Sequence, residues 1–168
     1  IKDHPDAKVV AFVHAETSTG VRSDAETLCR LAKSAGMLVI MDAVTSLAGI
    51  DLQADAWGAD VVYSGTQKCL SGLPGISPIT FSNDAVAAIQ ARKHKVQSWF
   101  LDMNLIMGYW GEGAKRSYHH TAPVNAVYAI HEALLMLEEE GLEASFARHK
   151  ANHLKLAAGL AELGLEMA

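Results

Sequence analysis

Three polar side chains carry the chemistry that this sequence could perform. Thr17 follows the apolar run Lys8–His14, Asp42 ends the run Met37–Met41, and Lys68 follows the run Val61–Val62–Tyr63–Ser64. A lysine at a strand-to-loop exit in apolar surroundings is disfavoured in its charged form, which frees its amine to attack a carbonyl. That is what a Schiff-base lysine requires. Asp42 reads equally well as a strand-end acid or a helix cap. Read together with Lys68, it offers a carboxylate that could keep a heterocyclic nitrogen protonated while the amine holds an aldehyde. Pyridoxal 5'-phosphate needs both groups.

The elements that must position these residues follow a strand–helix–strand order. Lys8 to His14 is almost continuously apolar and reads as a strand buried on both faces. Ser23 and Glu26 have capping-box spacing and open a helix to about Ala35, with Leu28 and Leu31 on its apolar face and Gly36 ending it. Met37 to Met41 is a second buried strand, so the sheet is expected to be parallel there. Val61 to Ser64 is a third strand. Ile76 to Phe81 is a fourth, and Pro78 makes it an edge or irregular one. Asn83 or Asp84 caps a helix to about Arg92. Ser98 to Trp110 mixes aromatics and methionines, and Gly111 to Arg116 reads as a polar loop. Pro123 begins a long helix to about Glu140, Gly141 breaks it, and Glu143 to Leu163 is an amphipathic helix with Phe146, Leu154, Leu156 and Leu160 apolar. Ligands of open α/β sheets bind beyond the C-terminal ends of the strands, where Thr17, Asp42 and Lys68 are expected to meet.

Composition narrows the function classes. Of 168 residues, 50% are hydrophobic and 20% charged, with a formal net charge of −5. This is the balance of a globular domain with its own core. No basic run or aromatic–basic alternation points to nucleic acid, and no apolar run approaches the roughly 20 residues that span a bilayer. The two cysteines, Cys29 and Cys69, form no CxxC pair, which argues against a zinc site or a disulfide framework and for a reducing compartment. Cys69 lacks an identifiable activating base and reads as structural. His119 and His120 are adjacent, a poor spacing for one metal ion. His14 reads as a packed or hydrogen-bonded residue, and Tyr118 could by itself be a core tyrosine. Ser71–Gly75 lacks the Lys-Ser/Thr ending of a P-loop and reads as a tight turn beside Lys68. The first residues read as the middle of a longer protein and Gly164–Ala168 as the start of another strand.

Four stretches carry a family resemblance: His14–Val21 (HAETSTGV), Met41–Leu47 (MDAVTSL), Tyr63–Leu70 (YSGTQKCL) and Tyr118–Pro123 (YHHTAP). In order and spacing they resemble the class V group of fold-type I pyridoxal-phosphate enzymes, and within it the alanine–glyoxylate and serine–pyruvate aminotransferases. The resemblance implies an α/β fold, the large domain of an aspartate aminotransferase-like transferase with a mostly parallel sheet flanked by helices. It places residues 1–163 in that domain and 164–168 at the start of a smaller C-terminal one. It implies that Lys68 holds pyridoxal phosphate, that Asp42 pairs with the ring nitrogen, and that Val44 packs on the ring. Thr17 and Gln67 would lie near the ring's phenolic oxygen, with Ser64 and Thr66 close by. Tyr118 and Thr121 would reach the phosphate of a neighbouring subunit's cofactor, making a homodimer with shared sites.

The implied reaction moves an amino group from alanine or serine to glyoxylate or pyruvate, so the partners are small amino and keto acids. The implied compartment is cytoplasmic for a bacterial protein and peroxisomal or mitochondrial for a eukaryotic one. The family's main phosphate loop, ring-stacking aromatic and substrate-carboxylate arginine fall outside these residues, so this segment alone is expected to be inactive. Ureidoglycine–glyoxylate aminotransferase is a close alternative. Cysteine desulfurases usually place a histidine before the lysine, where this chain has Gln67. A non-catalytic assembly module would need neither Lys68 nor Asp42.

Overall fold

The computed structural model describes residues 1–110 and 117–166. Among these, four strands form one sheet in the order β1 (Val9–Val13), β2 (Leu38–Asp42), β3 (Val61–Tyr63) and β4 (Ile79–Phe81). β1, β2 and β3 run parallel, as the strand–helix–strand order requires, and β4 is antiparallel to β3. The helices are α1 (Ala25–Ser34), the single turn α2 (Ala54–Trp57), α3 (Asn83–Gln90), α4 (Met103–Trp110), α5 (Val124–Glu140) and α6 (Leu142–Glu162). None of them is long and apolar enough to cross a membrane.

The core lies between β2 and α1. Val39 and Met41 are fully buried, and Ala25, Cys29 and Ala32 of α1 pack on them with Met37, Ala43, Ala59 and Val62. Spacings of four and three put those α1 residues on one face, and their small size lets the helix lie close to the sheet. This corrects the expected Leu28–Leu31 face: Leu28 is half-buried, and Leu31 is 46% exposed at the flank. β1 is corrected too. Among the described residues it is the sheet's edge, its residues alternate between exposed and half-buried, and Val9 and Val13 reach solvent.

Helix ends show local competition. Asp24, rather than a Ser23–Glu26 box, caps α1 by accepting from the Thr27 N–H at 3.2 Å. Ser23 instead donates to the Val13 carbonyl at 2.8 Å. Gly36, at φ +72°, closes the helix as expected: its N–H reaches the Lys33 carbonyl, and the Met37 N–H returns to that of Ala32. Ser82 caps α3 in place of Asn83 or Asp84. β4 is a short edge strand directly after Pro78, whose carbonyl accepts from the Ser64 N–H. In α6, Phe146 and Leu160 are half-buried, but Leu154 and Leu156 are exposed and the fully buried residue is Ser145. The expected loop Gly111–Arg116 lies outside the described residues.

At the N-terminal end of the parallel strands, Asp60 ties three elements together. It is 2% exposed and accepts from the Val39 N–H at 2.8 Å, the Ser82 hydroxyl at 2.8 Å and Lys33 Nζ at 3.0 Å. Burial pushes the Asp60 carboxyl up, but the Val39 N–H, Ser82 and Lys33 outweigh it and hold the group below its ordinary value.

Candidate functional site

The opposite end of the sheet carries the candidate residues. Val13 pairs with Asp42 and Asp42 with Tyr63, so the three parallel strands end level. The chain then leaves as His14–Thr17, Ala43–Val44 and Ser64–Lys68, so Thr17, Asp42, Val44 and Lys68 all stand at or beyond the C-terminal ends of the parallel strands.

Asp42 is the best-defined member. One carboxylate oxygen, Oδ1, accepts from the Val44 N–H at 2.8 Å, and Oδ2 accepts from the Tyr63 hydroxyl at 2.7 Å. Both oxygens are thereby aimed. A carboxylate has about four acceptor positions, so the half-buried group can still receive a further N–H donor. The Asp42 carboxylate, and then burial, raise the Tyr63 phenol above its ordinary value. Sequence reasoning missed Tyr63. Its available signal was its place at the end of the third strand, level with Asp42 at the end of the second.

The segment after Asp42 is a hub. Its Thr45 hydroxyl donates to the Ala15 carbonyl. Ser46 Oγ lies 3.0 Å from Nδ1 of His14, which is 3% exposed and meets the edge of Trp57 at a ring separation of 5.6 Å. Burial, with Arg22 second, lowers the His14 imidazole below its usual value. His14 is thus the packed and hydrogen-bonded residue that the sequence indicates. Thr17 is exposed in a turn closed by the Gly20 N–H on the Glu16 carbonyl at 2.9 Å. The Glu16 carboxylate there accepts from Ser18 N–H and hydroxyl, which hold it below its ordinary value.

Lys68 stands on a turn in which Thr66 and Leu70 face inward, whereas Gln67 and Lys68 are exposed. The apolar surroundings expected for Lys68 are therefore absent among the described residues: the turn projects beyond β3, and the amine has no ion-pair partner among them. Ser64 and Thr66 are buried. Ser64 donates to the Ala43 carbonyl at 3.0 Å, and Thr66 bonds the carbonyls of Leu73 and Ile76. Gln67 folds back over Gly65, where an added Cβ would meet its Oε1 at 2.7 Å.

Tyr118 and Thr121 are exposed, and their hydroxyls bond each other at 2.5 Å. No hydrogen bond among the described residues joins either to Asp42 or Lys68. Beside them His119 stacks on Trp99 at 4.0 Å and donates from Nε2 to its carbonyl at 3.0 Å, leaving Nδ1 to accept from His120 Nδ1 at 2.8 Å. Both histidines are engaged in the aromatic cluster. Among the described residues no group of His, Cys, Asp and Glu is arranged to hold a metal. Burial raises the Cys69 thiol above its usual value, the opposite of an activated nucleophile.

The donor set fits pyridoxal phosphate. A pre-aimed carboxylate with spare acceptor capacity and an exposed amine both stand at the C-terminal end of the parallel strands.

Residues 2–167 match the family model described as Aminotransferase class-V. The chain is 42% identical over 157 residues to an alanine–glyoxylate aminotransferase of Oryctolagus cuniculus, covering 93% of this chain and 40% of that protein. It is 35% identical to the (S)-ureidoglycine–glyoxylate transaminase of Bacillus subtilis (strain 168), covering 95% of this chain and 42% of that one. Among solved structures, an alanine–glyoxylate aminotransferase from Nostoc sp. superposes with a TM-score of 0.92 at 45% identity, covering 98% of this chain and 43% of the other. The chain spans about two fifths of the length of these relatives. The fold is that of the aminotransferases, with a mostly parallel sheet flanked by helices, and the chain belongs to the class V aminotransferase family.

Proposed function

We propose that this chain forms part of the cofactor-binding large domain of a pyridoxal-phosphate-dependent transaminase that moves an amino group from alanine or serine to glyoxylate or pyruvate. The single observation that carries this reading is the Asp42 carboxylate, aimed from two sides at the sheet edge where Lys68 emerges. When bound, pyridoxal phosphate supplies an electron sink for the substrate's amino-bearing carbon. Asp42 would hold a proton on the ring nitrogen by charge pairing. Val44, fixed through its N–H to Asp42, would pack on the ring face. Lys68 would hold the cofactor and, once displaced by an amino acid, its Nζ would take the proton from the substrate α-carbon. Thr17 and Gln67 would flank the phenolic oxygen. Tyr118 and Thr121, paired and exposed here, would extend to the phosphate in a second subunit of a homodimer.

Donor identity is the open variable within this reading. The alanine–glyoxylate and ureidoglycine–glyoxylate relatives share glyoxylate in their names, so an acceptor role for glyoxylate has the broader support. The test is the visible absorbance of the full-length protein with pyridoxal phosphate, before and after alanine. A band that alanine bleaches, and that Lys68→Ala removes, supports the lysine's role and the donor together. A wild-type protein that binds no cofactor overturns the transaminase reading. A cofactor band indifferent to alanine moves the assignment to serine or ureidoglycine, each tried in turn.

A further inference from the structure

Lys68 is exposed, yet the turn that carries it is held: besides the Thr66 bonds to Leu73 and Ile76, two contacts tie it to the segment that follows Asp42. Four residues before Lys68, Ser64 donates to the Ala43 carbonyl at 3.0 Å. One residue after it, the Cys69 thiol lies 3.5 Å from the Thr45 carbonyl. The two acceptors flank Val44, whose N–H is on Asp42 Oδ1. The lysine turn is therefore registered against the residues that fix the carboxylate.

A thiol is a weak donor, so the second attachment must act chiefly through packing, and Gly49 shows how. A Cβ added to Gly49 would lie 2.6 Å from Cys69 Sγ and 3.2 Å from Cys69 Cβ. Gly49 is not among the residues with positive φ. Its lack of a side chain thus serves space rather than backbone conformation. The opposite side of this seat is closed by α6. Ser145, fully buried, donates to the Ala48 carbonyl at 2.7 Å across 97 residues. His149 donates from Nδ1 to the Ser145 carbonyl at 2.8 Å, and its Cδ2 would lie 3.5 Å from the added Gly49 Cβ. With α6 behind it and the sheet below, the 45–49 segment cannot retreat from Cys69.

We propose that Gly49 is a positioning residue for Lys68: the space it leaves seats Cys69 and thereby sets the lysine turn against Asp42, with Ser145 bracing the seat from α6. This rests on the reading of Lys68 as the cofactor-holding lysine. A side chain at position 49 would push Cys69 outward and carry Lys68 with it, and a displacement of about 1 Å at a reacting group can cost on the order of 100-fold in rate.

The test uses the full-length protein loaded with pyridoxal phosphate. The readouts are the pH midpoint of the Lys68-dependent visible band, and kcat and KM with the donor that serves the wild type. Gly49→Ala is expected to shift the midpoint and to lower kcat by about 10- to 100-fold, with KM changed less. Adding Cys69→Ala, which removes the Sγ that the new Cβ would meet at 2.6 Å but keeps a Cβ in the seat, is expected to recover part of the midpoint shift and of the rate. A Gly49→Ala protein with wild-type midpoint and kcat overturns the proposal. So does a double variant as impaired as the single one. If Gly49→Ala does not fold, Cys69→Val places extra bulk on the other side of the same contact and is expected to shift the midpoint in the same direction; wild-type values there overturn the proposal as well. A wild-type protein without a Lys68-dependent band sinks the functional reading itself, which separates that failure from failure of the seat.

Discussion

Tyr63 donates its hydroxyl to Asp42 Oδ2 at 2.7 Å from the register position directly across the β2–β3 pair. One strand thus aims the carboxylate on its neighbour, while the Val44 N–H holds the other oxygen. The arrangement depends on β2 and β3 ending level: a one-residue slip would turn Tyr63 to the opposite face of the sheet.

Tyr63→Phe removes a hydrogen bond to a charged group. The full-length variant is expected to lose about 1.5–3 kcal/mol of unfolding free energy, measured by urea denaturation at neutral pH. The phenol's folded value is raised, by Asp42 first and burial second. Its stabilisation is therefore complete below the unfolded value of about 10 and is lost as pH rises through the folded value. In Asp42→Asn the ultraviolet titration of Tyr63 should move back down toward the ordinary phenol. A phenol unmoved by that substitution would contradict the pairing.

Asp60→Asn leaves Lys33 without its closest partner at the other end of the sheet. Breaking a buried ion pair costs about 3–5 kcal/mol. The lower figure is expected here, because Lys33 is partly exposed and also reaches Asp84 at 3.4 Å. The folded value of Asp60 is depressed. Its contribution is thus present above the unfolded carboxyl value of about 4 and disappears as pH falls through the lower folded value. Urea midpoints measured across that acid range should decline more in the wild type than in Asp60→Asn, and parallel declines would refute the assignment.

His14 should stay neutral at neutral pH, with an imidazole midpoint below about 6.5. Burial is the main cause and Arg22 the second. The stability gained by keeping it neutral is present above the unfolded value and is lost as pH falls through the folded one. An NMR titration of its ring protons tests this, and a midpoint at or above the ordinary value would contradict the buried placement.

Gly36→Ala isolates a backbone effect. Nothing lies within 4 Å of the added Cβ, but φ is +72°. A left-handed conformation costs an L-residue about 1–2 kcal/mol, and thermal or urea unfolding should show a loss of that size. Gly49 is the converse case, with an unremarkable φ and a crowded Cβ position.

Features with local causes could be read directly. The apolar runs became strands, Pro78 marked β4 as an edge strand, Gly36 stopped α1 and Pro123 preceded α5. The edge character of β1 could not be read, because an apolar run looks alike whether one neighbour borders it or two. The buried face of α1 was misread because two leucines carry more apolar area than Ala25, Cys29 and Ala32, yet it is the small residues that pack into the core with Val39 and Met41. Ser23 had the right spacing for a cap but found the Val13 carbonyl instead.

For the site, the sequence by itself determined which groups stand beyond which strands: Thr17, Asp42 and Lys68 come after successive apolar runs, and a parallel sheet delivers all three to one edge. Only the tertiary structure decided how they are held. Tyr63 reaches Asp42 through sheet register, Cys69 reaches Thr45 through the room left by Gly49, and Ser145 reaches Ala48 across 97 residues. The physical reason is that patterning records which side chains avoid water, whereas the partner that satisfies a buried donor or fills a missing Cβ depends on where distant segments of the chain are packed.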